Sequence, residues 1–155
     1  MTFTTKQRNA FKDAVRALRE TALGRESTMY TALFSLFVEV LGYSRSSVVI
    51  DTSGARGRPD LTIYAPGGTA GSRIAWIVVE AKAEPGQAAD HTKRGRLYGE
   101  KAKYITADTA YIMMVDPTII VARGASIGHA SADIEVPLVA RLTLETFAET
   151  LAPLR

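Results

Sequence analysis

The sequence predicts an α/β domain in which helices cover a mixed β-sheet. Two N-terminal segments show the apolar spacing of helices, and several short runs rich in β-branched residues follow them. A polar segment of helical length separates the third run from the fourth. The third run contains Ile77-Val78-Val79 without a polar interruption, which is typical of a central strand buried on both faces.

The composition limits the classes of function that the chain can have. Its 155 residues are enough for one domain with a hydrophobic core. Cysteine is absent, which excludes disulfides and thiolate metal sites and fits a reducing cytoplasm. His91 and His129 are not spaced as a zinc pair, so a zinc enzyme is not expected. The net charge of +3 permits nucleic-acid binding without requiring it.

The individual elements follow from periodicity and from the residues that break it. Gly24 separates the first helical segment from the second, and Gly42 ends the second. Its apolar stretch from Leu33 to Tyr43 contains Glu39 and is too short to span a membrane. The predicted helices cover residues 4–20, 26–41, 87–104 and 142–151, and the predicted strands cover residues 47–51, 61–65, 74–82, 111–115 and 118–122.

Charged residues stand at the end of the third predicted strand. Side chains two positions apart lie on the same face of a strand, so Glu80 and Lys82 project together. Asp60 opens the preceding strand, which pairs with the third if the two form a hairpin. We therefore expect two carboxylates and one ammonium group to converge at one end of the sheet.

This combination of groups suits hydrolysis of a phosphodiester. Two carboxylates suit a hard divalent cation such as Mg²⁺. A lysine beside the cation suits activation of water or stabilisation of charge on a phosphate. The alternative is that Glu80 and Lys82 form a surface pair of little energetic value, and that Asp60 is a turn residue after proline.

The pattern resembles that of the PD-(D/E)xK nuclease superfamily, with Pro59, Asp60, Glu80 and Lys82 as the matching residues. The resemblance implies a restriction-endonuclease-like fold: an αβββαβ core over about residues 26–123, an extra N-terminal helix and a C-terminal β-β-α extension. It also implies Mg²⁺, with Mn²⁺ as a substitute, held by Asp60, Glu80 and the backbone carbonyl of Ala81. Lys82 would orient or deprotonate the attacking water.

Many members of this superfamily add an acid from the helix before the first strand. Glu26 shares a helical face with Tyr30, Phe34 and other apolar residues, whereas Glu39 falls on the opposite face. The segment from Glu26 onward also resembles the stretch that opens nuclease domains of restriction endonucleases. We therefore assign Glu26 to the catalytic set; alternatively, it is a helix N-terminal acid favoured by the dipole.

Two basic groups are candidates for contacts with DNA phosphates. Arg56 and Arg58 lie in a glycine-containing loop just before Asp60. Lys93 and Arg94 belong to the polar helix, where the alternative is a solvated surface. On the same helix, residues 100–104 match a Q-x-x-x-Y motif of some relatives except that Glu100 replaces Gln, and Gln87 is a weaker candidate for ordering the site.

The predicted function is that of a Mg²⁺-dependent DNA endonuclease domain in a restriction-modification or phage-defence system, occupying residues 1–155. The alternatives are a non-catalytic module that binds nucleic acid or protein, and a plain α/β interaction domain with a chance motif. The expected partner is DNA, and no membrane is expected. The sequence fits a stand-alone nuclease or a piece of a longer protein. Further possible partners are therefore a second copy of the chain, or methyltransferase, helicase or specificity domains in the same or another chain.

Overall fold

The computed structural model describes residues 2–21, 25–51, 59–65, 74–89, 105–125 and 133–154. Helix α1 (Thr5–Arg19) begins at Thr4, whose hydroxyl and backbone N–H form a reciprocal capping box with Gln7. Helix α2 (Glu26–Ser35) follows, and helix α3 (Leu144–Leu151) lies near the C-terminus with Thr143 as its N-cap. The predicted helices at 4–20 and 142–151 are therefore confirmed within one or two residues.

The second helix differs from its prediction in its last turn. The segment Leu36–Val40 is π-helical, and the N–H of Leu41 donates to the carbonyl of Leu36 at 2.9 Å. Leu36, Phe37 and Val40 are all buried in this segment, on the side that faces the core. Gly42 then ends the helix with φ +85°, a conformation that glycine adopts without steric cost.

Within the described residues the sheet has six strands in the order β1-β2-β3-β4-β5-β6; β3 and β4 pair in parallel, and the other neighbours pair antiparallel. The mixed sheet and the central position of β3 confirm the predicted architecture. The last strand was not assigned from the sequence, although Ile134 and Val136 alternate with polar neighbours. The strands are β1 (Val48–Ile50), β2 (Leu61–Tyr64), β3 (Ala75–Ala81), β4 (Tyr111–Val115), β5 (Ile119–Gly124) and β6 (Ile134–Pro137).

The main core lies between one face of the sheet and the helices. Ile77, Val79 and Ala81 of β3 share this core with Leu33 and Phe37 of the second helical segment. The opposite face carries a second, smaller apolar cluster, which contains Ile112 and Met114 of β4 and Ala88 from a helical turn at residues 87–89. Alternation along β3 therefore directs Glu80 and Lys82 away from the main core.

The C-terminal turn Ala152–Leu154 is bound at the end of the sheet where β3 begins. The indole N–H of Trp76 donates to the carbonyl of Leu154 at 2.7 Å, and the Tyr111 hydroxyl donates to the carbonyl of Pro153 at 2.9 Å. The charged residues Glu80 and Lys82 lie at the other end of β3. One end of the sheet therefore binds the C-terminal turn, and the other end carries the charged side chains. In the described ranges, no helix combines the length and apolar character needed to cross a membrane.

Candidate active site and metal centre

Asp60 lies immediately before β2 and is fixed through both its backbone and its carboxylate. The backbone carbonyl accepts a hydrogen bond from the N–H of Asp51, which continues the β1–β2 ladder. The Oδ2 atom accepts from the N–H of Ala81 at 2.7 Å. Pro59, which has no N–H to satisfy, is buried beside it. The start of β2 is thereby joined to the end of β3.

Glu80 and Lys82 lie together at that end of β3, as the two-residue period of a strand requires. The Nζ atom of Lys82 is 3.5 Å from Oε1 of Glu80, and the Glu80 residue is only 7% exposed. The N–H of Lys82 donates to the carbonyl of Val115 at 2.8 Å, so hydrogen bonding to β4 extends past the last residue of β3. Both charged side chains therefore start from a backbone that is held on a neighbouring strand.

The backbone of Ala81 adds a third oxygen on the Asp60 side of β3. The N–H and the carbonyl of one residue in a strand point to the same neighbouring strand. Because the Ala81 N–H donates to Asp60, the Ala81 carbonyl also faces the β2 side. The side chain of Ala81 is fully buried in the main core, which fixes the orientation of this peptide group.

Tyr30 of α2 is a site residue that the sequence analysis did not identify as functional. Its hydroxyl donates to Oδ1 of Asp60 at 3.1 Å. Burial raises the pKa of Tyr30, and the carboxylates of Asp60, Glu26 and Glu80 raise it further, so the hydroxyl stays protonated as a donor. The spacing of Glu26 and Tyr30 by four residues was the only sequence signal for this arrangement.

The two candidate helix acids have different surroundings. The charge of Glu26 acts on the Tyr30 hydroxyl, which itself contacts Asp60. Glu39 instead lies 3.6 Å from Lys6 and 3.5 Å from Arg45, two exposed cations on another side of the helix. The helical face assigned from the sequence thus agrees with these contacts, and the catalytic role of Glu26 stays a prediction.

The donor set fits a hard divalent cation. The carboxylates of Glu26, Asp60 and Glu80 act together on Tyr30, and with the Lys82 ammonium they carry a formal charge of −2. In the part of the chain that the structure describes, no three metal-binding side chains are close enough to form a complete ligand cluster. Two carboxylates and a carbonyl nevertheless suit Mg²⁺, which keeps several of its waters. The two oxygens of Asp60 accept hydrogen bonds from the Tyr30 hydroxyl and the Ala81 N–H, which fix the orientation of this carboxylate.

Asp116 is a buried residue at the same end of the sheet, and its hydrogen bonds stabilise the chain there. Its side chain is fully buried at the turn between β4 and β5. Oδ1 accepts from the N–H and hydroxyl of Thr118, and Oδ2 accepts from the N–H of Ala88 at 2.9 Å. The carboxylate therefore joins the β4–β5 hairpin to the chain that leaves β3.

Several predicted contact residues fall outside the described ranges. These are Arg56, Arg58, Lys93 and Arg94, the four candidates for DNA phosphate contacts, and the Glu100–Tyr104 segment. The predicted helix at 87–104 is described only in its first turn, where Gln87 is half-buried. The roles of all these residues stay predictions.

Comparisons with known proteins give one informative likeness. No family model matches the chain, and the search of curated proteins also found no match. A cryo-electron microscopy structure of a DrdV–DNA complex is similar in fold, with a TM-score of 0.51 and 17% sequence identity. The alignment covers 94% of this chain and 13% of the chain in that structure. The likeness at this level of identity concerns the fold, and the present chain spans a small part of that protein's length.

Proposed function

We propose that this chain is a Mg²⁺-dependent endodeoxyribonuclease domain that hydrolyses phosphodiester bonds in DNA. The observation that carries the proposal is the joining of Asp60, Ala81 and the Glu80–Lys82 pair at one end of the sheet. A domain without catalysis has no physical need for a largely buried carboxylate such as that of Glu80 at this place, because burying charge is costly. The DNA complex formed by the protein of similar fold supports DNA as the substrate.

In this proposal Asp60, Glu80 and the Ala81 carbonyl hold the cation, and Glu26 contributes a further negative charge. When bound, the ion supplies Lewis-acid polarisation of a phosphate oxygen. Tyr30 fixes the rotamer of Asp60, and the Ala81 N–H holds its second oxygen. Preorganised ligands of this kind bind the ion without losing side-chain freedom at the moment of binding.

Lys82 has two roles in the proposed reaction. Its ammonium group offsets the charge of Glu80 in the resting site, and it stabilises the negative charge that develops on the phosphate. Water adds to phosphorus, one P–O ester bond breaks, and the leaving alkoxide takes up a proton. The products are a phosphomonoester end and a hydroxyl end.

The decisive experiment is cleavage of plasmid DNA by the wild type and by Lys82→Ala, each with Mg²⁺ and with a chelator. We expect cleavage only by the wild type with Mg²⁺, and a rate loss of about a hundredfold or more in the variant. Lys6→Ala is the matched control, since Lys6 also pairs with a glutamate but lies on another surface. Equal cleavage by Lys82→Ala and the wild type would contradict the proposal, whereas DNA binding without cleavage would favour a non-catalytic module.

A further inference from the structure

A basic groove lies between the C-terminal half of α1 and the β4–β5 hairpin. Two adjoining depressions of about 520 and 400 Å³ form it and share Arg16, Arg19 and Val139 in their walls. Thr118 of the hairpin closes one depression, and Lys12 lines the other. Val139 is 52% exposed, so the groove has an apolar floor that is open to solvent.

The cations of this groove are not neutralised within the described structure. Lys12, Arg16 and Arg19 are exposed and follow one helix face at four- and three-residue steps. None of them has a carboxylate at ion-pair distance among the described residues, whereas Lys6 and Arg8 at the other end of α1 pair with Glu39 and Glu145. The helix therefore concentrates its uncompensated positive charge in the groove.

The groove lies on the α1 side of the sheet, toward the end where β3 ends. The β4–β5 hairpin directly follows Val115, whose carbonyl accepts the N–H of Lys82. Thr118, in the wall of the groove, directly precedes β5, so it lies about two strand spacings from β3, a separation on the order of 10 Å. A polyanion held at the site would pass this groove within a few nucleotides.

We infer that the groove binds the phosphodiester backbone of the nucleic acid that reaches the candidate site. This inference rests on the proposed nuclease function and adds a phosphate-contact surface to it. Two guanidinium groups suit bidentate contacts with phosphate oxygens, and a lysine adds a mobile point charge. The alternative is that Arg16 and Arg19 only stabilise the C-terminal end of α1 through its dipole.

Binding of a short DNA duplex at several salt concentrations tests this inference, with a chelator present to prevent cleavage. We expect Arg16→Ala/Arg19→Ala to weaken binding about tenfold and to reduce the salt slope by about one to two. Lys6→Ala/Arg8→Ala removes the same charge from the same helix and is the matched control. Equal losses in both double variants would overturn the inference, because they would reflect net charge alone.

Three further variants locate the contact. Glu20 is the carboxylate in the walls of both depressions, so Glu20→Gln should tighten DNA binding by a few fold. The chain contains no cysteine, so Val139→Cys and Ala152→Cys each accept a single photo-crosslinker. Crosslinking to DNA from residue 139 and not from residue 152, which lies in the C-terminal turn, is the expected result. The reverse pattern would overturn the inference.

The outcomes for the groove and for the nuclease proposal are separable. Cleavage by the wild type together with unchanged binding by Arg16→Ala/Arg19→Ala would overturn the groove and leave the nuclease. Loss of binding in that variant, without cleavage by the wild type, would leave a DNA-binding groove and overturn the nuclease. A wild type that binds no DNA would overturn the groove directly.

Discussion

The hydroxyl of Tyr30 donates a hydrogen bond of 3.1 Å to the carboxylate of Asp60 and so joins α2 to the start of β2. The other oxygen of that carboxylate accepts the N–H of Ala81. Asp60 is therefore fixed from a helix on one side and from β3 on the other. A carboxylate held in this way has its orientation set by the protein and not by solvent.

Tyr30→Phe should weaken Mg²⁺ binding while leaving the fold intact. Hydrogen bonds to charged groups contribute about 1.5–3 kcal/mol, and the partial exposure of this one favours the low end, so we expect about tenfold. The measurement is the Mg²⁺ concentration that gives half-maximal cleavage. Tyr111→Phe is the control, because its hydroxyl bonds the C-terminal turn at the opposite end of the sheet. An equal change in both variants would indicate general destabilisation and not a local effect at Asp60.

Mg²⁺ should raise the thermal stability of the wild type and not that of Asp60→Asn. A ligand at about a hundred times its Kd stabilises the native state by about 2.7 kcal/mol, which corresponds to a Tm increase of roughly 5–10 °C for this length. Thermal unfolding with Mg²⁺, with Ca²⁺ and with a chelator provides the measurement and does not depend on cleavage. A shift of the same size in Asp60→Asn would place the metal at some other site.

Lys82→Ala should lower stability as well as abolish cleavage. Removal of the ammonium leaves the carboxylate of Glu80 largely buried without its 3.5 Å partner. The expected loss lies between the values for exposed and buried pairs, about 1–2 kcal/mol. Adding Glu80→Gln removes the charge that Lys82 offsets, so the double variant should regain part of the loss in urea unfolding. A double variant less stable than Lys82→Ala would show that Glu80 does not depend on this lysine.

The sequence was sufficient to predict which residues of the strands lie together in the candidate site. It was insufficient to predict the contribution of helix α2. The two-residue period of a strand dictates that Glu80 and Lys82 share a face, and pairing of β2 with β3 brings Asp60 to them. Tyr30 is different, because its contact with Asp60 depends on how α2 packs on the sheet. A tyrosine on an apolar helix face has the sequence signature of an ordinary core residue.

The same distinction explains the differences in the fold. The continuous apolar run of β3 was enough to predict a central strand, because only a strand with two neighbours is buried on both faces. The π-helical turn at Leu36–Val40 and the short strand β6 have no strong local signal. The strand β6 is decided by tertiary pairing, since it adds an edge to β5.

Asp116→Ala should be strongly destabilising although the residue has no proposed catalytic role. The substitution leaves the N–H groups of Ala88 and Thr118 without their acceptor, and unsatisfied buried groups cost about 1–3 kcal/mol each. Because Thr118 is exposed and Ala88 is buried, urea unfolding should show a loss of about 2 kcal/mol or more. Asp116→Asn, which keeps one acceptor oxygen, should lose less. In hydrogen exchange, the Ala88 amide should lose protection in both variants, and unchanged protection there would contradict the anchoring role.

The Arg123–Asp133 pair makes a pH-dependent contribution to stability. Two guanidinium nitrogens of Arg123 contact the Asp133 carboxylate at 2.8 and 2.7 Å. This hydrogen bonding lowers the pKa of Asp133 below its ordinary value of 3.8 against the opposing effect of burial. A carboxyl group whose pKa is lowered by folding stabilises the native state above the unfolded value, and this contribution disappears as the pH falls through the folded value.

Asp133→Asn should therefore destabilise the protein at neutral pH by at most about 1 kcal/mol, since both side chains are about one-third exposed and screened by solvent. The difference from the wild type should shrink below about pH 4 and vanish once Asp133 is protonated. Urea midpoints across this range provide the measurement. Glu135→Gln on β6 is the matched control, because the described structure places no cation at ion-pair distance from this exposed residue. A difference that persists unchanged in acid would mean that Asp133 acts through the shape of its side chain and not through its charge.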